Sequence, residues 1–310
     1  MDMKTAPTTT EINSLFANSE PAEVWVKAAK IICRINPDYD FRLARTVFDD
    51  VMRMFHGEYP GYCAIKTLYH DLPHTLDVFI CAVRLMHGVH ISGTHLSDDE
   101  ITQVMVATLM HDVGYAQLHG EETGTGAQYT QGHVRRGIEF LRGYLVEHDF
   151  PAGYFAALEP MMLSTELALS FPDLNFPDAR SRMLGKIVGT ADLGGQMADR
   201  SYLEKLLFLF MEFKEARIGN FKSVHDLLCQ TEKFYEIAWK KLDGDFGGIY
   251  DKLIFHFMDS MGVERNYYLE SIQKNIAYLS KVIAYDETEF LSMLKRGGIV
   301  ERSKSIPLPN

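Results

Sequence analysis

Apolar residues recur every three or four positions along nearly the whole chain, and this period restricts it to helices. Val24, Ala28, Ile31 and Ile32 make one stripe, and Val47, Val51, Met54 and Phe55 make the next. Strands would need short alternating runs of Val, Ile, Thr and Tyr closed by tight turns. Such runs are almost absent. Asp243-Gly244 is the one Asp-Gly pair, and helical patterns flank it. The expectation is an all-α, single compact multi-helix fold. The spacing predicts later helices over 134–147, 154–166, 181–192, 202–216, 224–242, 248–261 and 266–284.

One helix start is marked with particular clarity. Ser97-Asp98-Asp99-Glu100 reads as a capping box, with Ser97 as N-cap and Glu100 three residues on. Asp98 and Asp99 lie where the helix dipole favours negative charge. The helix is expected to run through Ile101, Val104, Met105 and Thr108 to His111, with Gly114 stopping it.

The chain has 310 residues, 46% of them hydrophobic, enough for one large core or two small ones. No Pro/Gly/Ser-rich linker divides the middle, so one domain is expected over 21–296. A flexible tail is expected over 1–20 (with Pro7 and Thr8 to Thr10), and a second tail over 297–310. The stretch 113–132 carries Gly120, Gly124, Gly126 and Gly132 and reads as a long loop of functional type.

Acidic residues outnumber Lys and Arg, 42 to 31, for a net charge of −11. That balance argues against broad nucleic-acid binding, which uses cations to neutralise phosphates. It leaves small phosphorylated substrates open, because a bound metal inverts local charge. Cys33, Cys63, Cys81 and Cys229 form no CxxC pair and are expected to be buried, reduced thiols. No signal peptide is expected. The longest apolar stretch, Val78 to Ile91, is interrupted by Arg84, His87 and His90. A cytoplasmic protein with no membrane association is expected.

Three places could carry chemistry. His70 and His74 lie in Tyr69-His70-Asp71-Leu72-Pro73-His74. Pro73 favours a helix start there, with His74 in the first turn and His70 in the loop before it. Two unrelated surface histidines would show the same spacing. His111-Asp112 ends the apolar run Val104 to Met110, and an ionisable pair buried there needs a partner such as a metal. A hydrogen-bonded core histidine is the plainer account. Asp192 follows the apolar Ile187-Val188 and precedes Gly194-Gly195. It reads as a carboxylate at a helix C-terminus, where the dipole repels it unless a cation is near. An Asp that merely ends a helix would look the same. Two His and two Asp form a credible mixed donor set for Mn, Fe, Co, Ni, Zn or Mg.

These segments resemble the HD superfamily of metal-dependent phosphohydrolases, and more closely the catalytic domain of class I cyclic-nucleotide phosphodiesterases. Tyr69-His70-Asp71-Leu72-Pro73-His74 is similar to that family's Tyr-His-Asn-x-x-His. Leu109 to Gly114 is similar to its His-Asp element, Leu163 to Leu167 to its Ala-Thr-Asp element, and Gly189 to Leu193 to its metal-binding Asp segment. The resemblance spans residues 69 to 193 and implies an HD/PDEase-like domain. It implies metal ligation by His74, His111, Asp112 and Asp192, with Asp112 bridging a second, weaker ion, and general-acid catalysis by His70. One or two divalent ions are therefore expected. The sequence departs from the pattern at three points. Asp71 stands for the Asn, Tyr115 stands for the last His of His-Asp-x-x-His, and the nucleotide-clamping Gln has no counterpart. Met211-Glu212-Phe213-Lys214 does not supply it. His133 resembles the second-metal His of other HD phosphohydrolases, with His119 as an alternative, and Thr165 and Glu166 complete the candidates for the second metal or substrate.

The implied reaction is hydrolysis of a phosphoester, foremost a phosphodiester such as a cyclic nucleotide, by a metal-activated hydroxide with His70 protonating the leaving group. A nucleotidase or other phosphomonoesterase, a di-iron oxygenase and a non-catalytic metal-binding sensor are the alternatives. The expected partner is a small phosphorylated molecule, and a homodimer is left open. Phe255, Phe257, Met258 and Met261 could wall a base-sized pocket, although such a stripe is more often core.

Overall fold

The described residues form twelve α-helices, and the third in chain order is the central one, packed against four others. The computed structural model describes residues 7, 8, 12, 14–16 and 20–306. Helix α1 (Pro21–Ile35) opens on a proline, whose fixed φ suits a first turn. Helix α2 (Arg42–His56) presents one apolar face, Val47, Val51 and Met54 included, and ends at Gly57 with φ 75°. Helix α3 (Leu72–Ile91) is buried on every side from His74 to Val89, as a helix apolar all round must be. It packs against α1, against α4 (Asp98–Met110), and against two later helices, α7 (Ala179–Ala198) and α10 (Leu253–Met261). Helices α5 (His133–Glu147), α6 (Tyr154–Leu163), α8 (Tyr202–Ala216), α9 (Val224–Lys240), α11 (Tyr267–Val282) and α12 (Ile299–Lys304) complete the layers. One continuous hydrophobic core runs through all of them. Among the described residues there is no strand, only an isolated antiparallel bridge between Tyr62 and Leu118. The fold is all-α. Among the described residues no helix is long and apolar enough to cross a membrane.

The capping box is formed as read: Ser97 accepts from the Glu100 amide and Glu100 accepts from the Ser97 amide. Asp71 caps α3, its carboxylate accepting from the His74 amide at 2.9 Å. Several expectations need correction. Asp192 does not end a helix, because α7 continues through Gly194-Gly195 to Ala198. Each glycine weakens a helix by about 1 kcal/mol relative to alanine. Close packing explains their presence: a Cβ on Gly195 would sit 3.2 Å from the backbone of Asp77 in α3. Helix α6 stops at Leu163, and 164–166 turn away from it. Helix α9 gives way at Lys241 to a wider turn, 241–245.

The C-terminal segment is not a tail as far as residue 306. Helix α12 packs on α8 with Ile299 buried. Of the expected N-terminal tail, most lies outside the described residues. Phe16 packs edge-on against Tyr268, with ring centroids 4.9 Å apart. The four cysteines are free, but Cys33 and Cys229 are exposed and only Cys63 and Cys81 are buried.

Candidate metal centre

The elements meet at one cavity of about 620 Å³, within the range of small-molecule sites. The first turn of α3 contributes His74. The end of α4 contributes His111 and Asp112, the middle of α7 contributes Asp192, and the start of α5 contributes His133. Adjacent residues on a helix point about 100° apart. His111 and Asp112 converge because the α-helix ends there: His111 still has helical angles, while Asp112 (φ −106°, ψ 2°) begins a tighter turn. Gly114 does not stop α4, which has already ended. It lets α5 approach, since a Cβ there would lie 1.8 Å from the His133 carbonyl oxygen. That contact brings His133 to the centre.

His74 Nε2 lies 3.3 Å from His111 Nε2, 3.4 Å from Asp112 Oδ2 and 3.5 Å from Asp192 Oδ1. His111 Nε2 lies 3.1 Å from Asp112 Oδ2 and 3.9 Å from Asp192 Oδ1. His133 Nε2 faces the other oxygen, Asp112 Oδ1, at 3.3 Å. Donors sharing one ion through bonds of about 2.0–2.2 Å stand about 3–4 Å apart, so this spacing suits a common cation. The tightest triad is His74, His111 and Asp112, with Asp192 at its edge. Asp112 Oδ2 is buried with no aligned hydrogen-bond donor among the described residues, an arrangement that costs stability unless a cation meets it. His111 Nδ1–H donates to the Thr108 carbonyl (2.8 Å), and His133 Nδ1–H donates to the Thr130 carbonyl (2.8 Å). Each bond fixes the tautomer and leaves Nε2 as the inward donor atom, the usual support of a metal-binding imidazole. The donor set therefore fits one divalent ion, with His133 placed for a second on the far oxygen of Asp112.

The electrostatics agree. Burial works against a charge on His111, but Asp112 beside it pushes its pKa up to about 9. Burial also disfavours the Asp112 carboxylate, yet the imidazoles, His111 foremost, hold it well below the usual range. The Asp112 carboxylate and the His111 imidazole thus hold a shared positive charge between them, a proton or a metal ion that displaces it.

His70 stands apart from this cluster and is held by a residue that the sequence reading set aside. Its Nδ1–H donates to Glu212 Oε2 at 2.7 Å, while Glu212 Oε1 accepts from the Tyr69 amide (2.6 Å) and the His70 amide (3.3 Å). Burial would lower the His70 pKa, but the Glu212 charge and hydrogen bond raise it to about 9. Nε2 remains for a substrate. Tyr115 stacks against His70 on one hand (centroids 4.8 Å) and His133 on the other (4.4 Å). The clue to Glu212 was a carboxylate inside the apolar run Leu206 to Phe213.

Asp71 serves as the α3 cap rather than as a ligand. Thr165 and Glu166 line the cavity. His119 does not; it lies with Cys63 and Glu122 on the outer loop. The apolar wall is not built from the 255–261 stripe, in line with the plainer reading of that stripe as core. It comes from Leu167, Leu193, Leu209, Phe213, Ile218 and Phe234, whereas Phe257 is core and Met258 is exposed. Tyr69 O–H donates to Gln196 Oε1 (2.8 Å), which leaves the Gln196 amide N–H groups for other partners in the cavity it lines. No family's sequence profile matches the chain, and a search of curated proteins gives no significant match.

Proposed function

We propose that the chain is a metal-dependent phosphohydrolase that acts on a phosphodiester. One observation carries this reading: a buried His/Asp donor cluster and a carboxylate-clamped histidine line the same cavity. A centre that only bound metal would have no use for the second feature. A divalent ion held by His74, His111, Asp112 and Asp192 would supply Lewis-acid polarisation of a phosphoryl oxygen and acidify a water for attack.

The chain's own residues account for the rest. His70, kept cationic by Glu212, presents Nε2–H to the leaving oxygen, a step typically worth about 10²–10⁴-fold. Tyr115 holds the imidazole plane by stacking. The apolar wall around Phe213 and Phe234 accommodates a flat organic group, and Gln131 and Gln196 offer amide hydrogen bonds.

The cavity lining also bears on substrate class. Among its described residues there is no Lys or Arg. Phosphates beyond the one at the metal would lack the cationic partners that such groups ordinarily find, so the lining disfavours di- and triphosphates. It favours one phosphoryl group joined to apolar substituents.

The test is a panel of phosphoesters with protein loaded separately with Mn²⁺, Co²⁺, Ni²⁺, Zn²⁺ or Mg²⁺. Turnover of nucleotide or aryl diesters, above monoesters and triphosphates, is expected. Preference for monoesters would shift the reading to a phosphomonoesterase. No turnover of any phosphoester with any metal would leave a binding domain and refute the proposal.

A further inference from the structure

A second group of metal-type donors lies outside the cavity. Cys63 Sγ is 3.1 Å from His119 Nδ1 and 3.0 Å from Glu122 Oε1, and His119 Nδ1 is 3.7 Å from the same Glu122 oxygen. These residues are 56 and 59 positions apart in sequence, so helical periodicity does not explain their meeting. The backbone builds the site. Cys63 N–H donates to the Gln117 carbonyl (2.8 Å) and His119 N–H donates to the Gly61 carbonyl (3.1 Å), around the Tyr62–Leu118 bridge. Gly120, at φ 91°, then turns the chain back, and its amide donates to Glu122 Oε2 at 3.0 Å. The left-handed angle is what calls for glycine there, because a Cβ would meet no atom within 4 Å.

We propose that Cys63, His119 and Glu122 form a separate site for a borderline-soft divalent cation of the zinc class. A thiol, an imidazole and a carboxylate together select Zn²⁺ or Co²⁺ over Mg²⁺ or Ca²⁺, which prefer all-oxygen sets. Three donors sharing a tetrahedral ion through bonds of about 2.0–2.3 Å stand about 3.3–3.7 Å apart, so small side-chain shifts suffice. His119 and Glu122 are 62% and 48% exposed, which leaves the fourth position to water. Binding replaces the thiol proton: the ion gains a sulfur bond and one proton passes to solvent.

The position of the site gives it a consequence. The loop beyond Glu122 is tied to α8, with the Thr125 amide and hydroxyl both donating to Glu215 (2.7 and 2.8 Å). Glu215 lies three residues from Glu212, the clamp on His70. On the other side the loop leads back to Tyr115, which stacks on His70 and His133. An ion joining Cys63 to 119–122 therefore braces the segment that frames the catalytic histidine.

The experiment is exchange of the full-length protein into Co²⁺ and measurement of its spectrum. A cobalt–thiolate bond gives an intense near-ultraviolet charge-transfer band that nitrogen and oxygen ligands do not give. The candidate centre in the cavity has no sulfur donor, so the band reports this site whatever the fate of the phosphohydrolase reading. A saturable band is expected, lost in Cys63→Ser and kept in Cys33→Ser and in Cys229→Ser, whose thiol lies 3.8 Å from His225. The surface variants His119→Gln and Glu122→Gln should each weaken Co²⁺ binding about tenfold or more, and they decide the matter if Cys63→Ser fails to fold. Zn²⁺ should displace the band and excess Mg²⁺ should not. Absence of the band in the native protein, its survival in Cys63→Ser, or native affinity in both surface variants would overturn the proposal.

Discussion

Replacing Glu212 with glutamine (E212Q) removes one charge and almost no volume. The Gln oxygen can still accept the Tyr69 and His70 amides, now at 2.6 and 3.3 Å from Glu212 Oε1. Its NH₂ group then faces His70 Nδ1, where a carboxylate oxygen stood at 2.7 Å. Two donors cannot share that contact, so Nδ1 must lose its proton and the ring becomes neutral. In the native protein burial lowers the His70 pKa, while the Glu212 charge and hydrogen bond lift it from 6.5 to about 9. At about pH 8 a group with pKa about 9 is ~90% protonated, and one at about 6.5 is ~3% protonated. Asp112 and Asp192 also raise the His70 pKa and remain in the variant, so 6.5 marks full loss of the upward shift. Turnover of an ester with an alkoxide leaving group should therefore fall by up to about thirtyfold at that pH. A nitrophenolate leaves without much protonation, so a nitrophenyl ester should lose far less.

The same pair sets a stability profile. Because the folded pKa of His70 is raised, proton binding favours the folded state. The stabilisation is complete below about 6.5 and fades as pH rises through about 9. A shift from 6.5 to about 9 corresponds to on the order of 3 kcal/mol. The melting-temperature gap between native protein and E212Q should accordingly be widest near neutral pH or below and shrink above about pH 9. Equal activity losses on both esters, together with a melting gap that ignores pH, would refute the assigned role of Glu212.

Asp112→Ala and Asp192→Ala should each abolish tight metal binding, checked by elemental analysis, since each removes an anionic donor and neutral imidazoles alone hold a divalent ion poorly; full occupancy in either variant would exclude that residue as a ligand. His70→Ala should keep its metal, because His70 is bound by Glu212 and not by the His/Asp cluster, yet lose more turnover on a nucleotide ester than on a nitrophenyl ester; metal loss would place His70 among the ligands instead. Gly114→Ala should destabilise the protein by about 1–3 kcal/mol or more in chemical denaturation, because the new Cβ meets the His133 carbonyl at 1.8 Å, and it should weaken metal binding by pushing α5 away; an unchanged denaturation midpoint would contradict this account.

The helical class and most helix starts were legible in the sequence because they depend on local rules. Apolar spacing set the buried faces, Ser97 and Glu100 completed a capping box within four residues, and Pro73 announced the start of α3. Candidate donors were legible as residue types in apolar settings. The resemblance, rather than spacing, grouped His74, His111, Asp112 and Asp192 as a set, and the fold brings them within 3.1–3.9 Å of one another across the contacts given. Local rules failed where packing overrides propensity. Gly194 and Gly195 read as a helix stop, but α7 passes through them because α3 lies against that face. Gly114 read as a stop for α4 and instead admits the backbone of His133. Glu212, Tyr115 and the Cys63–His119–Glu122 group depend on contacts between residues far apart in the chain. Glu212 meets His70 across 142 positions, and Cys63 meets His119 across 56. No periodicity encodes such pairs. They are fixed only when the core closes, since burying the apolar faces leaves each polar side chain few directions in which to find a partner.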